Sequence, residues 1–321
     1  FFRIALPMAL PALATGISLM CMEVMNELGT VELLNIPSIS TGITENWIME
    51  GNPESAIGLS LIALIIVFTL IIFEKFSRRK TKRWSENPSS LDSLGWELKN
   101  YKSFMAILVT IFPPFFSIGV PVFWFFLNLD QIQKGVNPEL FTLTFRTISI
   151  GLIAAFIALF FSLIMTLSNR LNKSFIMRLI TFPAGIGYAI PGTVLAISLI
   201  SISNSKFSLM AICLLIWGYI VRFLTISKGA LESGFERISP CLDEAATGLG
   251  SSWIEVIKKI HIPLLKGPIF ISSLLVFVDT VKELPITFIL RPFDFDTLSV
   301  RIYQYAGDER MAEAILPALL I

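Results

Sequence analysis

The sequence predicts an all-α, polytopic transmembrane helical bundle built from two parallel repeats, and three observations carry that prediction. Hydrophobic residues make up 54 % of the 321 residues and charged residues only 15 %, with a mean hydropathy of +0.75. A soluble chain this apolar would expose large greasy patches, whereas a bilayer covers them. Apolar stretches long enough to cross the hydrocarbon recur along the chain; about 20 residues are needed for roughly 30 Å. The chain also resembles itself at an offset of 256 residues.

Apolar stretches place spans near 8–28, 55–73, 104–128, 141–168, 176–203, 208–227 and 265–288, with an eighth beginning near 312. The fifth carries Pro183, Gly185, Gly187, Pro191 and Gly192. Such interruptions survive in a bilayer where neighbouring helices or a polar cavity satisfy the freed backbone groups, so it reads either as a kinked packing helix or as a pathway-lining one. The chain opens on Phe1 with no charged segment or cleavage site before it, and Ile315 to Ile321 stop inside an apolar run. The expectation is a fragment with seven full spans and part of an eighth.

Cations set the orientation. Lys75, Arg78, Arg79, Lys80, Lys82, Arg83, Lys99 and Lys102 surround the linker after the second span. Arg170, Lys173 and Arg178 fall on the same side if spans alternate, as do Lys228, Arg237, Lys258, Lys259 and Lys266. That side is the cytoplasm. The loops at 29–54, 129–140, 204–207 and 289–311 hold fewer cations and many carboxylates, and face outward. The polar stretch around Asn87-Pro88-Ser89-Ser90 reads as a tether, dividing the chain into the tail of one repeat (1–74), a basic cytoplasmic linker (75–103) and a second repeat (104–321).

In the repeat, Ile4 and Pro7 align with Ile260 and Pro263, and Glu27-Leu28 with Glu283-Leu284. Leu34, Thr41, Gly51 and Ala56 fall on Leu290, Thr297, Gly307 and Ala312, and Glu23 on Asp279. Copies with equal span direction are parallel repeats about an axis along the membrane normal, which points to a central pathway.

Between the sixth and seventh spans, Asp243, Glu244, Ala245 and Ala246 open a short helix, where the helix dipole favours acidic residues. Gly248 and Gly250 end it with a sharp turn. Ser251-Ser252 cap a second helix over 253–261, with Trp253, Val256, Ile257 and Ile260 on one face. Small residues at 245, 246, 248 and 250 allow close approach to another surface, which a mere connecting loop would not need.

Glu244-Ala245-Ala246, three residues, Gly250, nine residues, Ile260, one residue and Ile262-Pro263 is similar to the EAA signature of binding-protein-dependent ABC importer permeases, with Ile262 where that family usually has Leu. Asn26 to Glu32, Ser40 to Ile43, Ala189 to Leu195, Lys282 to Pro285 and Arg291 to Leu298 resemble the fused double permeases of ferric-iron importers. The resemblance implies a type I importer permease fold in the bacterial inner membrane, multi-pass. It implies that the 244–263 loop docks a cytoplasmic ABC ATPase dimer, with Ile4 to Pro7 the stub of a second docking loop. It further implies a periplasmic substrate-binding protein delivering cargo to 29–54 and 289–311, and ATP with magnesium used by the ATPase. Thiamine, polyamine or phosphonate importers are alternatives within the class.

No Gly-x-x-x-x-Gly-Lys-Ser/Thr loop occurs, so the ATPase is expected to be a separate subunit, and no cofactor or catalytic residue is assigned to this chain. An intramembrane enzyme would need paired catalytic groups at matching depth, yet the single His, His261, lies in a loop and reads as a surface or interface residue. A channel or ion-coupled carrier would have no use for a docking loop. Nothing basic and aromatic-interleaved points to nucleic acid. Cys21, Cys213 and Cys241 lack metal-type spacing.

Ionisable residues inside spans are functional candidates by default. Glu23 and Glu27 share a helix face at four-residue spacing, and Asp279, Lys282 and Glu283 repeat the stripe. With Pro191 and Gly192 they form the candidate pathway, carboxylates being hard ligands suited to ferric iron. The competing reading makes Lys282 the structural partner of Asp279 or Glu283. Arg222 reads as a snorkelling cation.

Overall fold

A computed structural model of the chain describes residues 5–78, 99–129, 138–171, 174–203 and 208–321, and among them it is a bundle of α-helices without strands. Helix α1 (Ala5–Asn26) is followed by the short α2 (Gly29–Leu33) and α3 (Ile39–Thr44) and by the long α4 (Pro53–Arg78). The expected tether is centred on residues outside those described. Helices α5 (Tyr101–Leu127) and α6 (Pro138–Leu171) come next among the described residues. Four helices are long and apolar enough to cross a membrane: Pro53–Phe73, Tyr101–Leu127, Pro138–Leu171 and Met210–Glu236. The last belongs to α9 (Ser208–Glu236).

Packing separates these helices by role. No residue of α5 within its apolar window is buried, so it presents side chains to lipid all round. By contrast, Thr147, Gly151, Ala154, Ala155, Ala158, Ser162 and Thr166 make a stripe of small buried residues along α6, which lets α9 and α12 (Lys266–Val281) approach closely. Ser227 on α9 shares hydrogen bonds with Ser162 on α6 and, at 2.6 Å, with Ser272 on α12. Leu215, Tyr219 and Phe223 of α9 fill the core against Val276, Ile286 and Leu290.

The predicted fifth span is not one helix. Helix α7 (Phe175–Thr181) leads into 3-10 turns at Pro183–Gly185 and Gly187–Ala189, and α8 (Gly192–Ser203) leaves at a bend of 118°. Pro183 and Pro191 remove donors, and α9 supplies replacements for the broken ladder. Thr225 donates to the Ala184 carbonyl at 2.9 Å and accepts the Tyr188 N–H at 3.2 Å. Gly187 lies so close to α9 that a Cβ would sit 1.8 Å from the Val221 carbonyl oxygen.

The seventh predicted span is also broken. Helix α12 stops at Val281, and the chain resumes as α13 (Pro285–Leu290) before α14 (Leu298–Gly307) and α15 (Met311–Leu320). The break recurs at the 256-residue offset. Glu27 N–H bonds the Val24 carbonyl and Glu283 N–H the Thr280 carbonyl, both at 3.2 Å. Glu27 Oε1 then accepts the Thr30 N–H at 2.9 Å, and Glu283 Oε1 the Ile286 N–H at 3.2 Å. Both glutamates therefore cap the short helix after a break and do not continue a stripe along the helix before it. The expected stripes fail because α1 ends at Asn26 and α12 at Val281.

Candidate functional site

The helix–turn–helix expected to dock an ATPase begins one turn earlier than its sequence shows. Helix α10 (Pro240–Gly248) is capped by Ser239, so Asp243 to Ala246 fall inside it. Gly250 has a φ of +88°, a conformation L side chains rarely adopt, and turns the chain sharply. Ser252 then caps α11 (Trp253–Leu264) in a capping box with Glu255. Hydrogen bonds from the Ser252 backbone and from Lys259 hold the Glu255 carboxyl at a pKa of about 2. A π turn at Ile257–His261 breaks the predicted single face: Val256 is buried, Ile257 and Ile260 are half-buried and Trp253 is exposed. Pro263 lies on the exposed side.

The loop has two unlike faces. Leu242, Trp253, Ile254 and above all Leu249, 89 % exposed, project outward with Glu244, Ala245 and Gly248. Asp243 points inward, its Oδ1 accepting from His261 Nε2 at 2.8 Å and its Oδ2 from Arg170 Nε at 2.6 Å. His261 is thus a buried anchor, not the surface residue expected, because the π turn rotates it beneath α10. Burial alone pushes the Asp243 carboxyl up, but the hydrogen bonds and charges of Arg170 and His261 outweigh it and leave its pKa below the usual value. A depressed folded pKa stabilises above the unfolded value of ~3.9 and ceases to as the pH falls through the folded value. Hydrogen-exchange protection factors over 240–264, corrected for the intrinsic rate and followed from about pH 6 to pH 3, are expected to fall only at the acidic end.

The candidate pathway residues gather where the two breaks face each other. A Cβ on Gly29 would lie 3.0 Å from the Leu284 side chain. Beside this contact is a cavity of about 350 Å³, lined by Glu23, Glu27, Thr30, Lys282, Glu283 and Tyr303. A second, of about 830 Å³, opens among Glu23, Ile71, Tyr188, Lys228 and Glu232, toward the docking-loop end of α9. Glu23 lines both. Its carboxylate accepts from the Tyr188 hydroxyl at 2.7 Å and lies 3.7 Å from Lys282 Nζ, which is 2.9 Å from Asp279. Lys282 therefore pairs with Asp279 and Glu23, not with Glu283.

Glu283 belongs to a different cluster. Arg222, only 2 % exposed, donates to Glu283 Oε1 at 3.1 Å and to Asn26 Oδ1 at 2.7 Å. Asn26 Oδ1 also accepts the Gly192 N–H at 2.6 Å. Arg222 does not snorkel: it lies mid-helix in α9, against the backbone freed next to Pro191, where a carboxylate neutralises it. Gly192 is necessary because a Cβ there would lie 2.6 Å from Arg222 Nη1 and 2.9 Å from Glu283 Oε1.

The structure thus joins Glu23, Asp279 and Lys282 at one point and sets Glu27 beside them. It diverts Glu283 and Gly192 into the Arg222 cluster and leaves Pro191 buried beside it. Ile4 lies outside the described residues, and Pro7 falls within α1. Sequence reasoning missed Asn26, Arg170, Tyr188 and the buried role of Arg222. An arginine within a span was signal enough for the last; Asn26 and Tyr188 carried none. Among the described residues no group of three or more His, Cys, Asp or Glu is placed to hold a metal ion.

No family model matches the chain. The Fe(3+)-transport system permease protein FbpB 2 of Haemophilus influenzae (strain ATCC 51907 / DSM 11121 / KW20 / Rd) is 23 % identical over 328 aligned residues, covering 98 % of this chain. The chain spans 64 % of that relative's length. Across nearly all of its own length, this chain is similar to a ferric-iron transport permease, the resemblance its sequence motifs carry.

Proposed function

We propose that the chain is the transmembrane permease of an ATP-driven importer in the bacterial inner membrane, carrying ferric iron from the periplasm to the cytoplasm. A separate cytoplasmic ATPase dimer docks on the 240–264 loop and hydrolyses magnesium-bound ATP, and a periplasmic binding protein delivers cargo at the opposite side. The observation that carries this reading is the two-faced loop: an apolar outer face around Leu249, at the end of a membrane bundle, on a helix–turn–helix anchored from behind. Exposed apolar groups that lipid does not cover mark a protein interface. Closure of the ATPase dimer would move this loop and rock the two halves around the Glu23, Asp279 and Lys282 cluster.

Co-purification with the candidate ATPase tests the docking. Leu249→Asp puts a charge at the centre of the face, and Gly250→Asp strains the turn. Both are expected to weaken capture by about 100-fold or more, the scale of a lost interface anchor at ~2.7 kcal/mol. Full capture by both variants, with stimulated ATP hydrolysis intact, ends the docking assignment.

Glu23 tests the pathway. Glu23→Gln keeps the shape and removes the charge shared by the two cavities, and ferric uptake is expected to fall about ten-fold or more, roughly 1.4 kcal/mol of barrier, while ATPase capture persists. Unchanged uptake removes Glu23 from the pathway. Uptake of thiamine, a polyamine or a phosphonate by the parent, in place of iron, reassigns the cargo.

A further inference from the structure

Helix α6 is 34 residues long, about 51 Å at 1.5 Å per residue, and it is tied by side chains at both ends. At its docking-loop end, Arg170 gathers the ends of three other elements. Its guanidinium donates to the carbonyls of Phe235 and Ile238 at 3.1 Å and of Ser239 at 3.3 Å, at and just beyond the end of α9. Its Nε holds Asp243 of α10, and Asp243 in turn holds His261 of α11. Phe235 closes the cluster, under the guanidinium at 5.5 Å and edge-on to His261 at 5.3 Å. Both arms of the loop hang from this one carboxylate.

At the other end, α6 holds the loop that follows α13. Thr147 Oγ1 accepts the Leu298 N–H at 2.9 Å, both groups being buried. Arg146 donates to the Asp294 carbonyl and Glu139 pairs with Arg301. Between the ends, the small-residue stripe and the Ser162–Ser227–Ser272 hydroxyls hold α6 flush against α9 and α12. Helix α6 is therefore packed along its middle and tied by side chains toward both ends.

We propose that Arg170 is the positioning residue that couples the docking loop to α6, and that α6 carries the displacement of that loop to the outer loop at 291–301. This inference rests on the docking reading above. Movement of α10 and α11 is delivered through Asp243 to Arg170, along α6, and to the segment that Arg146 and Thr147 hold beside the outer cavity. Removing either tie leaves the ATPase docked and active but disconnected from transport.

The test uses the complete transporter in proteoliposomes, with ATPase and binding protein, and reads ferric ions imported per ATP hydrolysed. The near-end variants are Arg170→Gln and Arg170→Lys; lysine keeps the charge but not the fork that reaches three carbonyls and a carboxylate. The far-end variant is Arg146→Gln with Thr147→Val. Each is expected to capture the ATPase as the parent does and keep basal hydrolysis, with ions per ATP reduced about ten-fold. Combining near and far lesions should be no worse than the near lesion alone, because both cut one connection. His261→Gln, whose amide can still donate to Asp243, should recover more coupling than His261→Ala. The proposal is overturned if either end leaves the ratio at the parental value. It is equally overturned if the Arg170 variants lose ATPase capture in proportion to uptake, since Arg170 would then only shape the docking face. Failure of the unaltered chain to capture the ATPase is a separate result, and it rejects the docking reading itself.

Discussion

Arg222→Ala is expected to destabilise the folded bundle by about 3–5 kcal/mol, the cost of removing one partner from a buried ion pair. The side chain is fully enclosed, and its loss strands the Glu283 carboxylate with the Ile286 N–H and leaves Asn26 with the Gly192 N–H. The effect should appear as a lowered unfolding midpoint in mixed micelles and as poor recovery from membranes. Replacing both charges, as Arg222→Met with Glu283→Leu, should be markedly milder, because no unpaired charge remains buried. A single variant that unfolds with the parent would mean that the pair contributes nothing to the stability of the bundle.

Gly187→Ala is expected to be at least as damaging. A Cβ would sit 1.8 Å from the Val221 carbonyl oxygen and 2.9 Å from its carbon. Backbone cannot yield as a side-chain tip can, so α9 and the 3-10 turn must separate. Overpacking of a well-filled core costs about 1–3 kcal/mol and more where nothing gives way; here the separation also pulls Thr225 off both groups it satisfies. Gly185→Ala is the matched control, two residues away, where the nearest atom is Lys228 Nζ at an ordinary 3.8 Å. Unfolding midpoints and yields of the two variants should diverge sharply. Equal behaviour would show that the turn can move away from α9 at little cost.

Much of the architecture was legible before any coordinates. Apolar length placed the spans, because lipid demands about 20 residues without regard to sequence detail. The 256-residue self-similarity is mirrored locally, since the same backbone hydrogen bonds recur at that offset around Glu27 and Glu283. The docking loop was legible because its glycines and serines obey local rules: Gly250 at positive φ and Ser252 as a cap need only neighbours along the chain.

What sequence reasoning got wrong concerns side chains whose partners are remote. Glu27 and Glu283 were placed on helix faces from their spacing alone, although Gly29 and Pro285 just downstream are local signs of a helix end. Lys282 had two carboxylates within four residues, and the bundle added Glu23 from another helix. Arg222 looked free to reach water until α1, α8 and α13 closed around it. His261 looked exposed because a polar loop was assumed solvated throughout, while the π turn rolls that residue beneath α10.

By itself, then, the sequence determined the class, the main apolar stretches and the helix–turn–helix over 240–264. Those depend on hydrophobic length and local backbone preference, which are properties of contiguous residues. Only the tertiary structure decided that Asp243 faces inward while Leu249 faces outward, that Glu23 is common to two cavities, and that α6 is tied at both ends. These depend on contacts between residues far apart in the chain, such as Arg170 with Asp243 and Glu23 with Tyr188, and burial gives polar groups no tolerance for being left unpaired.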